Sequence, residues 1–246
     1  MSTNTDIEEN KSFSSEVIDF FKDLVIIIVV VKIVTVFLVS VFIINGDSMY
    51  GSYYDKEFIL VDRFSTLEIW DFKSQKVIRG DVVVFKPEVD EVKEFFIKRV
   101  VWMPGDTIKI EGWEVYLKKE DETEFTMLVE TYLNEKNAWN TRSQNKSNIY
   151  VVPENSYFVM WDNRNESSDS RSCFSHTCLS NWRNNYISKE FVVWKVLLDF
   201  GYFNFKNLSF THPDKKVDII EDGKIIWKEP LCTKPKWTHS VDSYTY

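Results

Sequence analysis

The sequence predicts a mainly β fold, in which a β-rich domain follows a single N-terminal transmembrane helix. The first observation behind this prediction is an apolar run of 21 residues, Leu24–Ile44, near the start of the chain. The second is a series of short β-branched and aromatic segments after residue 56, separated by turn residues. The third is that no helical period competes with these segments. A chain of 246 residues has room for one such domain and its attachments.

The apolar run would reach about 32 Å as a helix, which matches a bilayer hydrocarbon core of about 30 Å. Its apolar character extends around the whole cylinder, whereas a surface helix of a soluble domain carries a polar face. A cleavable signal peptide would have a shorter apolar region. We therefore expect residues 24–44 to be a retained anchor, preceded by a polar tail over residues 1–23. Lys32 interrupts the run and would either reach toward the membrane surface or face a partner helix.

Strand-like segments dominate the rest of the chain. They span residues 57–63, 81–87, 94–102, 107–110, 114–117, 149–153, 156–161 and 189–200. Asp222-Gly223 lies between two apolar stretches of residues 217–228 and predicts a hairpin. Residues 118–148 are polar and are expected to form an insertion. The main domain is therefore expected over residues 45–200, with a C-terminal extension that ends in a loose tail over residues 201–246.

Charge and histidine content exclude several function classes. The chain has 38 acidic and 30 basic residues, a net charge of −8, whereas a general nucleic-acid binder has a basic surplus. We therefore expect no nucleic-acid partner. The three histidines fit no zinc-enzyme spacing. We expect neither a metal nor another cofactor.

Three segments carry candidate chemistry. Gly46-Asp47-Ser48-Met49 follows the apolar run, Ile97-Lys98-Arg99-Val100 precedes Pro104-Gly105-Asp106, and residues 161–171 read WDNRNESSDSR. Each alone has a simpler explanation, namely a turn serine, a lysine on an edge strand and a polar loop. Together and in this order they resemble the type I signal peptidases, the bacterial leader peptidases of the S26 family. The resemblance covers roughly residues 20–200.

This resemblance implies a signal-peptidase-type β-fold catalytic domain, which would be the domain over residues 45–200. It implies that Ser48 is the nucleophile and Lys98 the general base of a serine endopeptidase. It aligns Ser167 with the family serine that holds the lysine. It aligns Asp169 and Arg171 with a pair that supports the site.

Physical chemistry is consistent with these roles. A hydroxyl is a poor nucleophile until a base takes its proton, and burial can keep a lysine amine uncharged for that task. Lys98 lies between Phe95-Phe96-Ile97 and Val100-Val101, which would remove it from water if its strand turns it inward. The Ser48 backbone N–H is one expected oxyanion donor. Many relatives supply a second donor from a serine two residues earlier, and here that position is Gly46.

Ser48 lies four residues after the end of the apolar run, so the nucleophile is expected close to the bilayer surface. The resemblance implies secretory preproteins as partners, cleaved at the end of their signal peptides. It also implies a plasma-membrane protein that crosses the bilayer once, with a cytoplasmic tail and an extracytoplasmic catalytic domain. The peptide would bind extended along a strand edge, with small residues at the first and third positions before the cut. Apolar residues near the two catalytic segments are predicted to line its pockets; they are Met49, Val82, Val83, Val84 and Phe85.

Tryptophan stands where the resembling family has glycine. Trp161 precedes the Asp-Asn-Arg segment, Trp102 precedes Met-Pro-Gly-Asp, and Trp194 precedes Lys195. The chain has 9 tryptophans and only 7 glycines. This predicts that some of these tryptophans are glycines in the living cell, because UGA is read there as glycine. The alternative is an aromatic domain surface that lies on the membrane.

Two further alternatives concern function. If Trp161 is real, the chain is a catalytically impaired relative that binds preproteins. A cytosolic self-cleaving repressor with the same Ser-Lys chemistry is disfavoured by the anchor and by the lack of a DNA-binding helix pair. Cys173 and Cys178 flank His176. In an oxidising exterior they are expected to form a disulfide rather than a metal site, since no fourth ligand is evident.

Overall fold

A computed structural model gives the fold. It describes residues 13–63, 77–86, 94–135, 137–138, 141–143, 148–164, 168–174, 185–221, 224–232 and 235–237. The chain divides into two compact units, Met1–Val39 and Ser40–Tyr246. The second unit carries the β structure and every candidate site residue.

The N-terminal unit is helical only in part. Helix α1 spans Phe13–Ile33 and continues as a short π-helix over Val34–Leu38, after which strand β1 begins at Val39. The expectation of one unbroken helix over Leu24–Ile44 is therefore wrong. Its end is rich in β-branched residues, which favour extended structure, and β1 pairs with β2. Within the described part of the chain, no helix combines the length and the apolarity needed to cross a bilayer.

The mainly β prediction is confirmed. The strands are β1 Val39–Ile43, β2 Phe58–Asp62, β3 Val82–Phe85, β4 Phe96–Trp102, β5 Thr107–Glu111, β6 Glu114–Lys118, β7 Thr126–Met127, β8 Ile149–Val151, β9 Ser156–Met160, β10 Ile187–Ser188, β11 Val192–Gly201, β12 Thr211–Glu221, β13 Lys224–Cys232 and β14 Lys236–Trp237. Two 3₁₀-helices cover Ser170–Ser172 and Lys189–Phe191.

Three sheets organise these strands. The largest has the order β1-β2-β11-β3-β4-β9-β10, with β14 also paired to β11. The second has the order β7-β6-β5-β8, and β12 and β13 form a separate hairpin. That hairpin was predicted; its turn residues, 222 and 223, lie outside the described residues. The predicted insertion supplies one short strand, β7, to the second sheet.

Strand β3 separates two core clusters by the alternation of its side chains. Val82 and Val84 pack in one cluster with Met49 and Ile59. Val83 and Phe85 pack in another cluster, with residues of β9 and β11. The antiparallel register of β3 and β4 places Lys98 opposite Val83. The lysine is therefore carried by an interior strand of the largest sheet, between β3 and β9.

Candidate active site

The serine lies on a tight loop between β1 and β2. The loop is closed at its base, where the Ile44 amide donates to the Glu57 carbonyl (2.9 Å) and the Lys56 amide donates to the Ile44 carbonyl (2.8 Å). Gly46 has a φ of 95°, a conformation that a serine would adopt only with strain, and its amide donates to Asp55 Oδ1 (2.6 Å). Ser48 follows two residues later and is half-buried. The loop thus holds the hydroxyl near the surface on a fixed backbone.

A second loop, after β9, fastens the backbone around the serine. The Asn163 amide donates to the Ser48 carbonyl (3.0 Å), and Asn163 Nδ2 donates to the Asp47 carbonyl (3.1 Å). No described residue accepts a hydrogen bond from the Ser48 amide. Asn163 thus holds the backbone of both Asp47 and Ser48.

Lys98 is almost fully buried, with 1% of its surface exposed. Its Nζ lies 4.0 Å from the centre of the Trp161 ring and 4.8 Å from that of Phe96, and it donates to the Ile97 carbonyl (3.0 Å). Burial lowers the pKa of this amine well below the ordinary lysine value, and the negative charge of Asp169 opposes the shift only in part. The amine is therefore predisposed to be uncharged.

Ser48 and Lys98 line the same cavity, which has a volume of about 560 Å³. Its apolar wall comes from the end of β1, the start of β4 and the neighbouring strands; these residues are Phe42, Ile43, Ile44, Ile59, Val84, Phe95, Phe96 and Ile97. Between these two described residues there is no hydrogen bond, since the Lys98 amine turns toward the Ile97 carbonyl. The arrangement brings a hydroxyl and a buried amine to one apolar space.

The structure distributes the five predicted pocket residues over different surroundings. Val84 lines the cavity. Met49 and Val82 are buried beside Val84 in its core cluster. Val83 and Phe85 are buried in the cluster on the other side of β3.

Asp169 and Arg171 form a buried ion pair behind the cavity. Both Asp169 oxygens accept from the Arg171 guanidinium, at 2.8–3.1 Å, and Oδ2 also accepts from the Trp161 amide (3.3 Å). The pair therefore fixes the backbone at the end of β9, beside Lys98. The predicted lysine-holding residue, Ser167, lies outside the described residues.

Sequence reasoning missed two further ion pairs at this site. Arg99 contacts Asp162 through Nε (2.9 Å) and Nη2 (2.6 Å), and both residues are buried. Arg164 contacts Glu130 and Tyr132 through Nη2. Asp162 and Arg164 flank Asn163, so both pairs position the loop that fastens Ser48. The charges in Lys-Arg and Asp-Asn-Arg were visible in the sequence, but nothing there indicated their partners.

The predicted insertion takes part in this network. Besides Glu130 and Tyr132, it supplies Asn137, whose Oδ1 accepts from the Arg164 amide (3.0 Å). Thr141 Oγ1 lies 3.3 Å from Arg164 Nη1. A segment read only as a polar connection thus stabilises the loop next to the serine.

Cys173 follows the buried ion pair and is disulfide-bonded. Its predicted partner Cys178, with His176 between them, lies outside the described residues.

Comparison with known proteins decides the family. A family model described as signal peptidase, peptidase S26, matches residues 17–195, which is well over half of the chain. The chain belongs to the signal peptidase S26 family. It is therefore a signal peptidase and a serine peptidase, which places it among the hydrolases, and the catalytically impaired alternative is not favoured.

Individual relatives agree with this membership. Signal peptidase I P of Bacillus subtilis subsp. natto is 31% identical over 173 residues, covering 67% of this chain and 84% of the relative. Signal peptidase I S of Bacillus subtilis strain 168 is 31% identical over 169 residues, covering 67% and 83%. A solved signal peptidase I from Enterococcus faecalis V583 is 24% identical, with a TM-score of 0.35 over 49% of this chain and 97% of that one.

Proposed function

We propose that the chain removes N-terminal signal peptides from secretory preproteins, with Ser48 as the nucleophile and Lys98 as the general base. The observation that carries this proposal is the buried amine of Lys98, which opens onto the same cavity as Ser48 and has a pKa lowered by burial. An uncharged amine accepts a proton, whereas the ammonium of an exposed lysine does not. The reaction therefore needs no metal or other cofactor.

The steps follow from this pair. The neutral Lys98 amine takes the Ser48 hydroxyl proton as Oγ attacks the scissile carbonyl carbon. The ammonium then donates that proton to the leaving amine of the mature protein, as the peptide C–N bond breaks. In the second half, Lys98 takes a proton from water as the water oxygen attacks the carbonyl carbon of the acyl-enzyme ester. The ammonium then returns this proton to Ser48 Oγ as the ester C–O bond breaks. Ser167 is proposed to orient the amine through a hydrogen bond.

The negative oxygen of each tetrahedral intermediate needs donors. The Ser48 amide is the first, because none of the described acceptors uses it. Gly46 offers no side-chain donor, and Asp55 already accepts from its amide. A second donor therefore has to come from another group.

The cavity suits an extended, mostly apolar peptide. Its wall is dominated by aliphatic and aromatic side chains, among them Val84 and Ile97 next to the catalytic pair. Such a wall favours small apolar side chains of the substrate over charged ones. Met49 and Val82 lie behind Val84 and set the depth of this wall, and Val83 and Phe85 support it from the other side of β3.

We also propose that Leu24–Ile44 anchors the chain in the plasma membrane as a single-pass segment, with the catalytic domain outside. The large apolar side chains of this run are exposed, for example Ile27 at 57% and Val41 at 56%. Exposed apolar surface of this extent is favourable in lipid and unfavourable in water. The apolar helical part, residues 24–38, would reach about 22 Å, which is shorter than a bilayer hydrocarbon core of about 30 Å.

Cleavage of a model preprotein by the full chain in detergent tests the catalytic pair. Ser48→Ala and Lys98→Ala are expected to lose kcat by at least about 10³-fold. Lys109→Ala is the matched control, because Lys109 is partly exposed and pairs with Glu111 far from the cavity. Cleavage by all three variants at the wild-type rate would overturn the assignment of the pair.

The anchor is tested by protease treatment of intact spheroplasts that produce the chain with a tag at each end. The N-terminal tag is expected to be protected and the C-terminal tag to be digested. Digestion of both tags, or release of the chain by alkaline carbonate, would contradict a single-pass anchor.

A further inference from the structure

Glycine and tryptophan have unusual frequencies in this chain. Glycine accounts for 7 of the 246 residues, which is roughly 3% against a usual glycine content of about 7%. Tryptophan accounts for 9 residues. The six glycines in the described part all have positive φ, between 59° and 102°. Glycine is thus retained at turns that require it, but it is scarce elsewhere.

Trp113 occupies a backbone position that is normally filled by glycine. It forms the two-residue turn between β5 and β6 together with Gly112, and Glu111 pairs with Glu114 across the turn. Gly112 has a φ of 59° and Trp113 a φ of 80°. Hairpin turns with two positive φ values strongly prefer glycine at the second position, and a bulky residue there is a conformational outlier. The φ of Trp113 lies within the range of the chain's own glycines.

Trp102 and Trp161 each bury a polar group that has no partner among the described residues. The indole Nε1 of both residues is inaccessible to water and donates no hydrogen bond within that part of the chain. Tryptophan in a protein core normally pairs this N–H, because burying an unpaired donor destabilises the fold. Two unpaired indoles in one small domain indicate that its packing did not evolve around these rings.

Trp161 also affects the proposed base directly. Its ring centre lies 4.0 Å from Lys98 Nζ, and the ring lines the cavity that Ser48 and Lys98 share. The amine instead donates to the Ile97 carbonyl. A residue without a side chain at position 161 would leave open the part of the cavity that the ring fills beside the Lys98 amine.

We propose that the chain as made in its own cells carries glycine at positions 102, 113 and 161, because those codons are UGA and are read as glycine. The second part of the proposal is that glycine at position 161 gives the Lys98 amine access to Ser48. The second part rests on the proposed function. Trp194 packs against Phe42 and Phe95 and shows neither a positive φ nor an unpaired buried N–H. The argument that residue 194 is also glycine in the native chain therefore depends on the sequence alone.

The coding DNA and the native protein test the first part without any assay of activity. The codons for 102, 113 and 161 are expected to be UGA, and tryptic peptides 100–109, 110–118 and 147–164 are expected to have the masses for glycine. UGG codons, or tryptophan masses in peptides 110–118 and 147–164, would overturn the proposal.

Variants of the recombinant full chain test the second part. Trp161→Gly is expected to raise kcat/KM for a model preprotein by roughly tenfold or more, equivalent to about 1.4 kcal/mol or more of barrier. Trp161→Phe keeps a ring against Lys98 and is expected to give no such gain. Trp113→Gly, far from the cavity, is expected to raise Tm and to leave kcat/KM unchanged. Equal kcat/KM for the Gly and Phe variants at 161 would refute the effect on Lys98. Glycine masses combined with no cleavage by any variant would refute the proposed function while leaving the recoding intact.

Discussion

Replacing Asp162 with asparagine tests whether a buried charge pair holds the loop that fastens Ser48. Asp162 is 1% exposed and accepts from Arg99 Nε (2.9 Å) and Nη2 (2.6 Å). The remaining polar contacts of Arg99 are to the Gly80 carbonyl (2.9 Å) and to Ser52 Oγ (3.3 Å). The substitution removes the negative charge that contacts the guanidinium and leaves Arg99 buried without its ion-pair partner.

The size of the expected loss in unfolding free energy depends on the burial of Arg99 and Asp162 rather than on the N–O distance between them. Breaking a buried pair by removing one partner costs about 3–5 kcal/mol, since the other charge stays uncompensated. Asparagine keeps one oxygen that still accepts a hydrogen bond, so the lower value of about 3 kcal/mol applies. A domain is stable by only about 5–15 kcal/mol, so the loss is a large part of the total.

Urea unfolding of the full chain in detergent, followed by circular dichroism, measures this loss. Glu111→Gln is the matched control: it removes a carboxylate from an ion pair of similar length, Lys109–Glu111 at 2.8 Å, but Glu111 is 61% exposed. The control is expected to lose less than about 1 kcal/mol. If both variants unfold at the same urea concentration, the reasoning from burial is wrong.

Four further predictions concern pH and the elements around the site. The acid limb of kcat/KM is expected to have its midpoint below the ordinary lysine pKa of 10.5, because burial lowers the pKa of Lys98 and activity needs its neutral form; a midpoint at the ordinary value in a pH–rate profile would contradict this. Burial, with a smaller contribution from Asp199, raises the pKa of Glu57 from 4.5 to about 7, so the folded state keeps a proton that the unfolded state releases. Glu57 should therefore lower stability by roughly 3 kcal/mol as pH rises through this window, and urea unfolding of Glu57→Gln should show a correspondingly smaller fall. Asn137→Ala is expected to lower kcat/KM several-fold with little change in circular dichroism, because the Arg164 amide loses its acceptor; an unchanged kcat/KM would remove the insertion from the site. Lys236→Met is expected to lower stability by about 1 kcal/mol, because the buried Asp199 carboxylate loses its ion pair with Lys236 (3.2 Å). The loss is small because the lysine side chain is 50% exposed and solvent weakens the pair. Thermal melts measure the effect, and an unchanged Tm would contradict it.

The strands of the main domain could be predicted because their local pattern and their tertiary role agree. The segment 94–102 has apolar runs on both sides of Lys98-Arg99 and forms β4 in the interior of the largest sheet. Residues 217–228 carry a strong turn signal and form the β12–β13 hairpin. In β4, the preference of the backbone and the burial of the side chains favour the same structure.

The N-terminal apolar run shows where local pattern fails. Its valines and isoleucines suit a membrane helix and a strand equally well, and composition does not choose between them. The choice at Val39 depends on pairing with β2, which lies 19 residues further along the chain. Pairing over such a separation leaves no local signal.

The site was predictable in its residue types but not in its contacts. Ser48 and Lys98 were identified from short motifs, and the structure places both at one cavity. The contacts of Arg164 with Glu130 and Asn137 join residues that are 34 and 27 positions apart. They were missed because a polar segment looks the same whether its charges face water or a buried partner.

The short last strand has a consequence for how the protein matures. β14 pairs with β11, and Lys236 donates to the carbonyl of Ser52, which lies 184 positions earlier and four residues after Ser48. The ribosome therefore delivers this contact only after β13 has been made, long after Ser48. A chain truncated before Lys236 retains Ser48 and Lys98 but lacks this hydrogen bond to the serine loop. A segment that is synthesised late thus helps to hold a loop that is synthesised early.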